Sequence, residues 1–417
     1  MTALDLITLA DVEKARELIA GVVRRTPLEP CRPLTAALGG PAWLKCENLQ
    51  RAGSFKVRGA YVRIARLSPA ERERGVVAAS AGNHAQGVAL AASMLGTSAT
   101  VFMPVAAALP KVAATKGYGA RVQLTGATVD EALTAAQEYA DMTGAVFIHP
   151  FDHPDVIAGQ GTVALEILEQ CPEVRTIVAA IGGGGLISGI AVAAKALRPD
   201  LHLVGVQASD AACYPPSLAA GRPVRLDSFG TIADGIAVGC PGDHTFAHVS
   251  KLVDEVVTVS EEDISRALLM LLERSKLVVE PAGSAGVAAL LSRVIDVPAP
   301  AVAVLSGGNI DPLLLLRLIE HGLTAAGRYL RLTVRCGDRP GQLGQLLTLI
   351  GEAGANVVDV AHRRHDPGLS LGEVEVDLSV ETRGEEDSDR LVEALGNAGY
   401  AVRPGRVSSR TARSSPR

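Results

Sequence analysis

The stretch 75-GVVAASAGNHAQGVALAASMLGTSATVFMP-104 places two short apolar runs, GVVAAS and ATVFMP, on either side of a helix-length segment of small and apolar residues. Strand, helix, strand in that order is the βαβ unit of a parallel sheet. The strands carry no polar alternation, as strands covered on both faces require.

The same alternation extends in both directions. Downstream come helix ALPKVAATKG, strand RVQLTG, helix TVDEALTAAQEYADMTG and strand AVFIHP. Upstream, 8-TLADVEKARELIAG-21 opens with Thr8 and Asp11 in a capping-box-like arrangement, and 43-WLKCEN-48 reads as a strand running into a lysine loop. A second series follows: strand TIVAAIG, helix LISGIAVAAKALRP, strand HLVGVQ, helices SEEDISRALLMLLERS and SAGVAALLSRV, strand AVAVLSG and helix PLLLLRLIEHG. The expected body is a two-lobed α/β domain over residues 1–325, with the smaller lobe at roughly 45–150.

After 324-TAAGR-328 the style changes to YLRLTVRC, PGQLGQLLTLIGEAGA, NVVDVAHRRH, LGEVEVDLSVET, EEDSDRLVEALGNAGY and AVRP. That order is β-α-β-β-α-β, a ferredoxin-like plait over 328–404. The tail 405–417 is Ser/Arg-rich and is expected to be disordered, because it has almost no apolar surface to offset its ordering entropy.

Composition limits the function. The 417 residues are 48% hydrophobic but only 3% aromatic, so Ala, Val, Leu and Ile carry the core. With 40 basic against 45 acidic residues and no basic block, nucleic acid is not an expected partner. The six cysteines form no C-x-x-C pair, which argues against a zinc ribbon or a disulfide framework. No segment approaches about 20 uninterrupted apolar residues, and the first residues are acidic where a signal peptide is basic. A cytoplasmic protein without a membrane partner is expected.

Ligands of open parallel sheets bind beyond the carboxyl ends of the strands. Four such ends are unusual here. In 80-SAGNHAQG-87 small residues admit a ligand and Asn83 offers an amide, although alone it reads equally as a helix N-cap. In 182-GGGGLISG-189 four glycines expose consecutive N–H groups at a helix start, a phosphate cradle. This loop fits neither G-x-G-x-x-G nor a P-loop, so a dinucleotide or ATP is disfavoured. In 306-SGGNID-311, Ser306 presents a hydroxyl or caps the next helix, and in 51-RAGSFKVRGA-60, Lys56 stands among small residues. An amine, a phosphate cradle and a neutral hydroxyl match the needs of pyridoxal phosphate.

The segments 47-ENLQRAGSFKVRGA-60, 80-SAGNHAQG-87, 182-GGGGLISG-189 and 306-SGGN-309 together resemble the motif set of the fold-type II, tryptophan synthase β-like pyridoxal-phosphate enzymes, and among these the threonine ammonia-lyases (threonine dehydratases). The stretches 231-TIADGIAV-238, 242-GDHTF-246 and 279-VEPAGSAG-286 extend the likeness. The resemblance implies that Lys56 carries the cofactor as a Schiff base and serves as the catalytic base, with Phe55 beside the ring. It implies that Asn83 bonds the ring oxygen, that Gly182, Gly183, Gly184, Gly185 and Leu186 hold the phosphate, and that Ser306 faces the pyridine nitrogen. Ser54, with Ser80, Ala81, Gly82, Asn83 and His84, would receive the substrate carboxylate, and Glu280 would line the site. The implied reaction converts L-threonine to 2-oxobutanoate and ammonia, and L-serine to pyruvate. The alternatives are another β-eliminating or racemising member of the same group, and an amino-acid sensor that kept the pocket.

Two departures narrow the choice. Ala81 stands where racemases of this group carry a hydroxyl, and Gln207 and Cys213 replace the carboxylates of the metal-binding members, so no metal is expected. Residues 329–404 resemble an ACT domain, which implies an isoleucine or valine effector near Asp338, Arg339, Pro340, Gly341 and Asn356, and a homo-oligomer of two or four chains. His362 and His365 read as solvated strand-end residues.

Overall fold

The computed structural model describes residues 5–325, 327–364 and 369–404. The tail 405–417 and His365, both subjects of expectations above, lie outside the described residues. Contacts divide the chain into two compact units, Met1–Leu314 and Leu315–Arg417.

Strands are numbered in chain order. In the first unit the smaller sheet has the order β5-β4-β3-β6, from β3 (Val76–Ala79), β4 (Ala99–Met103), β5 (Arg121–Leu124) and β6 (Val146–Phe147), and every pairing is parallel. The opening stretch forms β3, the helix Asn83–Met94 and β4, in register from Val76 opposite Ala99 to Ala79 opposite Phe102. Both strands are buried along their whole length, which explains their unbroken apolar character.

The larger sheet has six strands in the order β1 (Leu28–Pro30), β2 (Ala42–Lys45), β10 (Ala301–Val304), β7 (Thr176–Ala180), β8 (His202–Ala208) and β9 (Glu255–Val259). All pairings are parallel except β1 with β2. The α/β class with parallel sheets is as the sequence led us to expect. The edge strands β1 and β9 have no counterpart in the sequence reading: one spans three residues, and the other is mostly half-buried. The strand expected over 43–48 ends at Lys45, because the chain turns twice in 3₁₀ form from Glu47 to Gly53.

One helix, Pro154–Gln170, ties the unit together through glycines. A methyl at Gly159 would stand 2.6 Å from the Cα of Gly59 on the helix that begins at Lys56. One at Gly189, on the helix that follows the glycine turn, would stand 2.2 Å from the Ile157 carbonyl oxygen. Backbone thus lies against backbone on both sides, and the lysine and the glycine turn are referenced to one rigid rod.

The second unit is β11 (Tyr329–Gly337), the helix Gln342–Glu352, β12 (Asn356–Arg363), β13 (Glu373–Glu381), the helix Glu385–Asn397 and β14 (Ala401–Pro404). Its antiparallel order is β12-β13-β11-β14, the expected plait. Leu346, Ile350, Leu391 and Leu395 of the helices share a core with Leu332, Val334, Val376 and Leu378 of the sheet. Polar pairs such as Arg335–Glu375 and Thr333–Asp377 join neighbouring strands. Among the described residues no helix is long and apolar enough to cross a membrane.

Candidate active site

The loops that follow β2, β3, β7 and β10 converge on a cavity of about 780 Å³. Its lining includes Phe55, Lys56, Ser80, Ala81, Gly82, Asn83, His84, Gly182, Gly183, Gly184, Gly185, Leu186, Glu280 and Ser306. The carboxyl ends of strands from both sheets therefore serve one site, as open parallel sheets dictate.

Lys56 opens the helix Lys56–Ala65, and its Nζ donates to the Pro150 carbonyl at 2.9 Å, 5.3 Å from the centre of the Phe55 ring. Removal from water disfavours the ammonium and takes its pKa down to about 8, and the nearby Glu280 opposes the shift only in part. Two residues on, the fully buried Arg58 bonds Glu47 at 2.8 Å and Glu166 at 2.7 Å. Glu166 also holds the buried Lys45 at 2.5 Å. Such a paired cluster adds little net stability, but loss of one partner would strand a buried charge at about 3–5 kcal/mol. It fixes the first turn of the lysine helix to the helix Pro154–Gln170.

The glycine turn follows β7 and starts the helix Gly185–Leu197. Gly184 has φ +99°, and a methyl there would lie 2.0 Å from the Tyr214 hydroxyl. The Gly183 carbonyl accepts from Thr245 Oγ1 at 2.6 Å and Tyr214 Oη at 3.2 Å, which clamps the turn from behind. The N–H groups of Gly183, Gly184, Gly185 and Leu186 make no backbone hydrogen bond to a described residue. Four free donors at a helix N-terminus suit a phosphate dianion.

Asn83 is the first residue of its helix and caps nothing; its side chain is engaged in tertiary bonds. Nδ2 donates to Glu280 Oε1 at 2.5 Å, and Oδ1 accepts from Asn309 Nδ2 at 2.8 Å. Glu280 is buried, and desolvation, then the charge of Asp234, pushes its carboxyl up to about 7, against Lys111, Asn83 and Lys56. Ser306 is buried at the cavity, and the next helix begins only at Pro312, so Ser306 does not cap it.

Ser54 does not join the lining. It is fully buried, its backbone bridges to Gly307, and its hydroxyl has no partner among the described residues, leaving a buried donor unsatisfied. Ser80 Oγ accepts from the Gly82 N–H at 3.1 Å. His84 Nε2 is held 2.8 Å from the Ile148 carbonyl oxygen, and burial lowers the His84 pKa to about 3. His149, also in the lining, is lowered to about 4 by burial, so both imidazoles are neutral. Gln207 accepts from the Tyr214 N–H and lies 3.6 Å from Cys213 Sγ. Among the described residues no group of three His, Cys, Asp or Glu is placed to hold a metal.

In the second unit, Asp338, Arg339, Pro340 and Gly341 form the turn after β11, where Gly341 has φ +89°. Asp338 pairs with Arg364 at 3.4 Å, and Asn356 begins β12 exposed. His362 is exposed on the same strand.

A desolvated amine, four free backbone donors and a buried neutral hydroxyl around one cavity fit an aldehyde cofactor bearing a phosphate and a ring nitrogen. The chain belongs to the family of pyridoxal-phosphate dependent enzymes, whose model matches residues 19–307; residues 330–399 match the ACT domain. An L-threonine ammonia-lyase of Thermotoga maritima is 48% identical over 399 residues, 95% of this chain and 99% of that protein. Among solved structures, the processed form of threonine deaminase isoform 2 from Solanum lycopersicum superposes with TM-score 0.72 at 37% identity, covering 75% of this chain and 86% of that one. Maize serine racemase gives 0.72 at 38%, covering 77% and 99%.

Sequence reasoning did not assign Pro150, Lys111, Asp234, Tyr214, Thr245 or Asn309. Asp234 and Thr245 lie inside the quoted stretches 231–238 and 242–246, and Asn309 inside 306-SGGN-309. The motif was visible, but the partners were not.

Proposed function

We propose that the protein is a pyridoxal-phosphate-dependent L-threonine ammonia-lyase, releasing 2-oxobutanoate and ammonia, and that it also converts L-serine to pyruvate. The observation that carries the reading is the Lys56 amine, desolvated and facing the same cavity as the four free N–H groups of the glycine turn. The names of the threonine-acting relatives support the substrate.

When bound, the cofactor supplies an aldehyde for the amine and a ring that draws electrons from the substrate Cα. Gly182, Gly183, Gly184, Gly185 and Leu186 bind its phosphate, Asn83 its ring oxygen and Ser306 its nitrogen. A neutral hydroxyl at Ser306 leaves the ring a weak electron sink, which favours loss of the β-hydroxyl over transamination. Ser80, Ala81, Gly82, Asn83 and His84, which line the cavity, form the region that receives the substrate carboxylate, whereas Ser54, buried away from the lining, does not touch it. With its pKa near 8, the Lys56 amine is deprotonated often enough at neutral pH to take the Cα proton. Ala81 offers no hydroxyl for a second base on the other face of Cα, which supports elimination over the racemisation named for the maize relative.

Residues 328–404 act as the regulatory domain, with isoleucine or valine bound near Asp338, Arg339, Pro340, Gly341 and Asn356 in a homo-oligomer located in the cytoplasm. The test is Lys56→Ala: the visible absorption of the cofactor–lysine link should vanish together with 2-oxobutanoate formation. In the parent, the rate should rise with pH toward about 8 as the amine loses its proton. A Lys56→Ala protein turning over threonine at the parent rate would overturn the assignment.

A further inference from the structure

We infer that Asn309 is a positioning residue that fixes which way the Asn83 amide faces, and so which of its atoms meets the cofactor. The inference rests on the proposed reading of Asn83 as the residue that bonds the cofactor ring oxygen.

Asn309 lies just beyond Ser306, on a loop tied by three backbone hydrogen bonds to two other segments. Phe55 N–H donates to the Ser306 carbonyl, Gly308 N–H to the Gly53 carbonyl, and Glu280 N–H to the Gly307 carbonyl. From this loop Asn309 Nδ2 reaches Ala52 O at 2.7 Å, Asn83 Oδ1 at 2.8 Å and Gln86 Oε1 at 3.3 Å. Three oxygens around one amide nitrogen settle its orientation: turned over, Asn309 would present an oxygen to the Ala52 carbonyl, which has no proton to give.

The orientation then passes to Asn83. Its oxygen must face the Asn309 donor, so its NH₂ must face Glu280 and the cavity. Two glycines make room for the chain of bonds. A methyl at Gly53, where φ is +70°, would stand 2.3 Å from Asn309 Oδ1, and one at Gly307 would stand 2.1 Å from Glu280 Oε1 and 2.9 Å from Asn83 Nδ2. The result is a one-way relay of donors, Asn309 to Asn83 to Glu280, drawn from three segments far apart in sequence. A ring oxygen beside Asn83 therefore always meets a donor and never the amide oxygen.

The experiment uses the full-length holoprotein and a double-mutant cycle with Asn309→Ser and Asn83→Ala. The readouts are pyridoxal phosphate affinity, the position of the visible band and the pH midpoint of that band. Asn309→Ser leaves the Asn83 amide free to turn, so affinity should fall roughly tenfold, as for a buried hydrogen bond left unmade, and the band and its midpoint should shift. In the Asn83→Ala background the same change should have less than about a twofold effect. Equal effects in both backgrounds would make Asn309 a merely structural residue and overturn the inference, as would an unchanged single variant. If Asn309→Ser fails to fold, Asn309→Leu serves: it is close to asparagine in shape, cannot donate, carries no charge, and should shift the midpoint only while Asn83 is present. A parent protein with no visible band on adding pyridoxal phosphate would instead defeat the proposed function.

Discussion

Glu280 holds a proton in the folded chain that it would release near pH 4.5 in the unfolded one, because burial and Asp234 raise its carboxyl to about 7. Between those values the folded state binds more protons, so this group's contribution to stability falls as pH rises from 4.5 through 7. His84 and His149, lowered by burial, work in the opposite sense below 6.5, so the difference between variant and parent is the informative quantity. Glu280→Gln keeps a hydrogen-bonding group beside Asn83 and removes the titration. Melting temperatures at pH 5 and 7 should show the variant gaining on the parent as pH rises; a constant difference would mean Glu280 does not titrate there. At this scale the sequence exposes what is contiguous: Lys56 in its loop and the four glycines in theirs. It hides Glu280 and Asn309 as partners of Asn83, since 197 and 226 residues separate them and either side chain alone reads as an ordinary polar residue.

Elements obey the same division. The strands and the plait are legible because burial on both faces, or alternation across one sheet, leaves a local pattern. The helix Pro154–Gln170 leaves none: it is buried nearly all round over Val156–Leu165, and Gly159 and Gly161 weaken its helical propensity. Those glycines are there for tertiary packing, which no local rule foresees. Gly189→Ala tests this packing, because its methyl would meet the Ile157 carbonyl at 2.2 Å and the Gly161 nitrogen at 2.4 Å. Overpacking of this kind costs about 1–3 kcal/mol. Calorimetry should find a lower melting temperature, and cofactor affinity should fall with it because the glycine turn heads that helix. Gly396→Ala, with open space around it in the helix Glu385–Asn397, should leave stability level or slightly raised. Equal losses in the two variants would show that crowding at Gly189 is not the cause.

Across the whole molecule, coupling is measurable without any new contact. In the first unit the two lobes meet at the cavity through Lys111 with Asp234, and through Asp130 with Arg225 at 3.7 Å. Asp234 is half exposed, so the pair adds little stability, yet its charge reaches Glu280. Asp234→Asn removes a repelling carboxylate and frees Lys111 to attract, so the Glu280 midpoint should move down; Lys111→Met should move it up. Shifts in the same direction would break the assignment of lobe-to-lobe charge to Glu280. The proposed effector offers a further test, independent of where the regulatory domain lies. An amino acid that binds all states equally shifts nothing, whereas one that changes threonine affinity by some factor must have its own affinity changed by that same factor when threonine is bound. Calorimetric titration of isoleucine, then valine, into a Lys56→Ala protein that binds threonine without turnover measures both legs of this cycle. The expected result is equal factors for at least one of the two amino acids, abolished by Asp338→Ala. Affinities indifferent to threonine would leave the plait without a regulatory role toward the site.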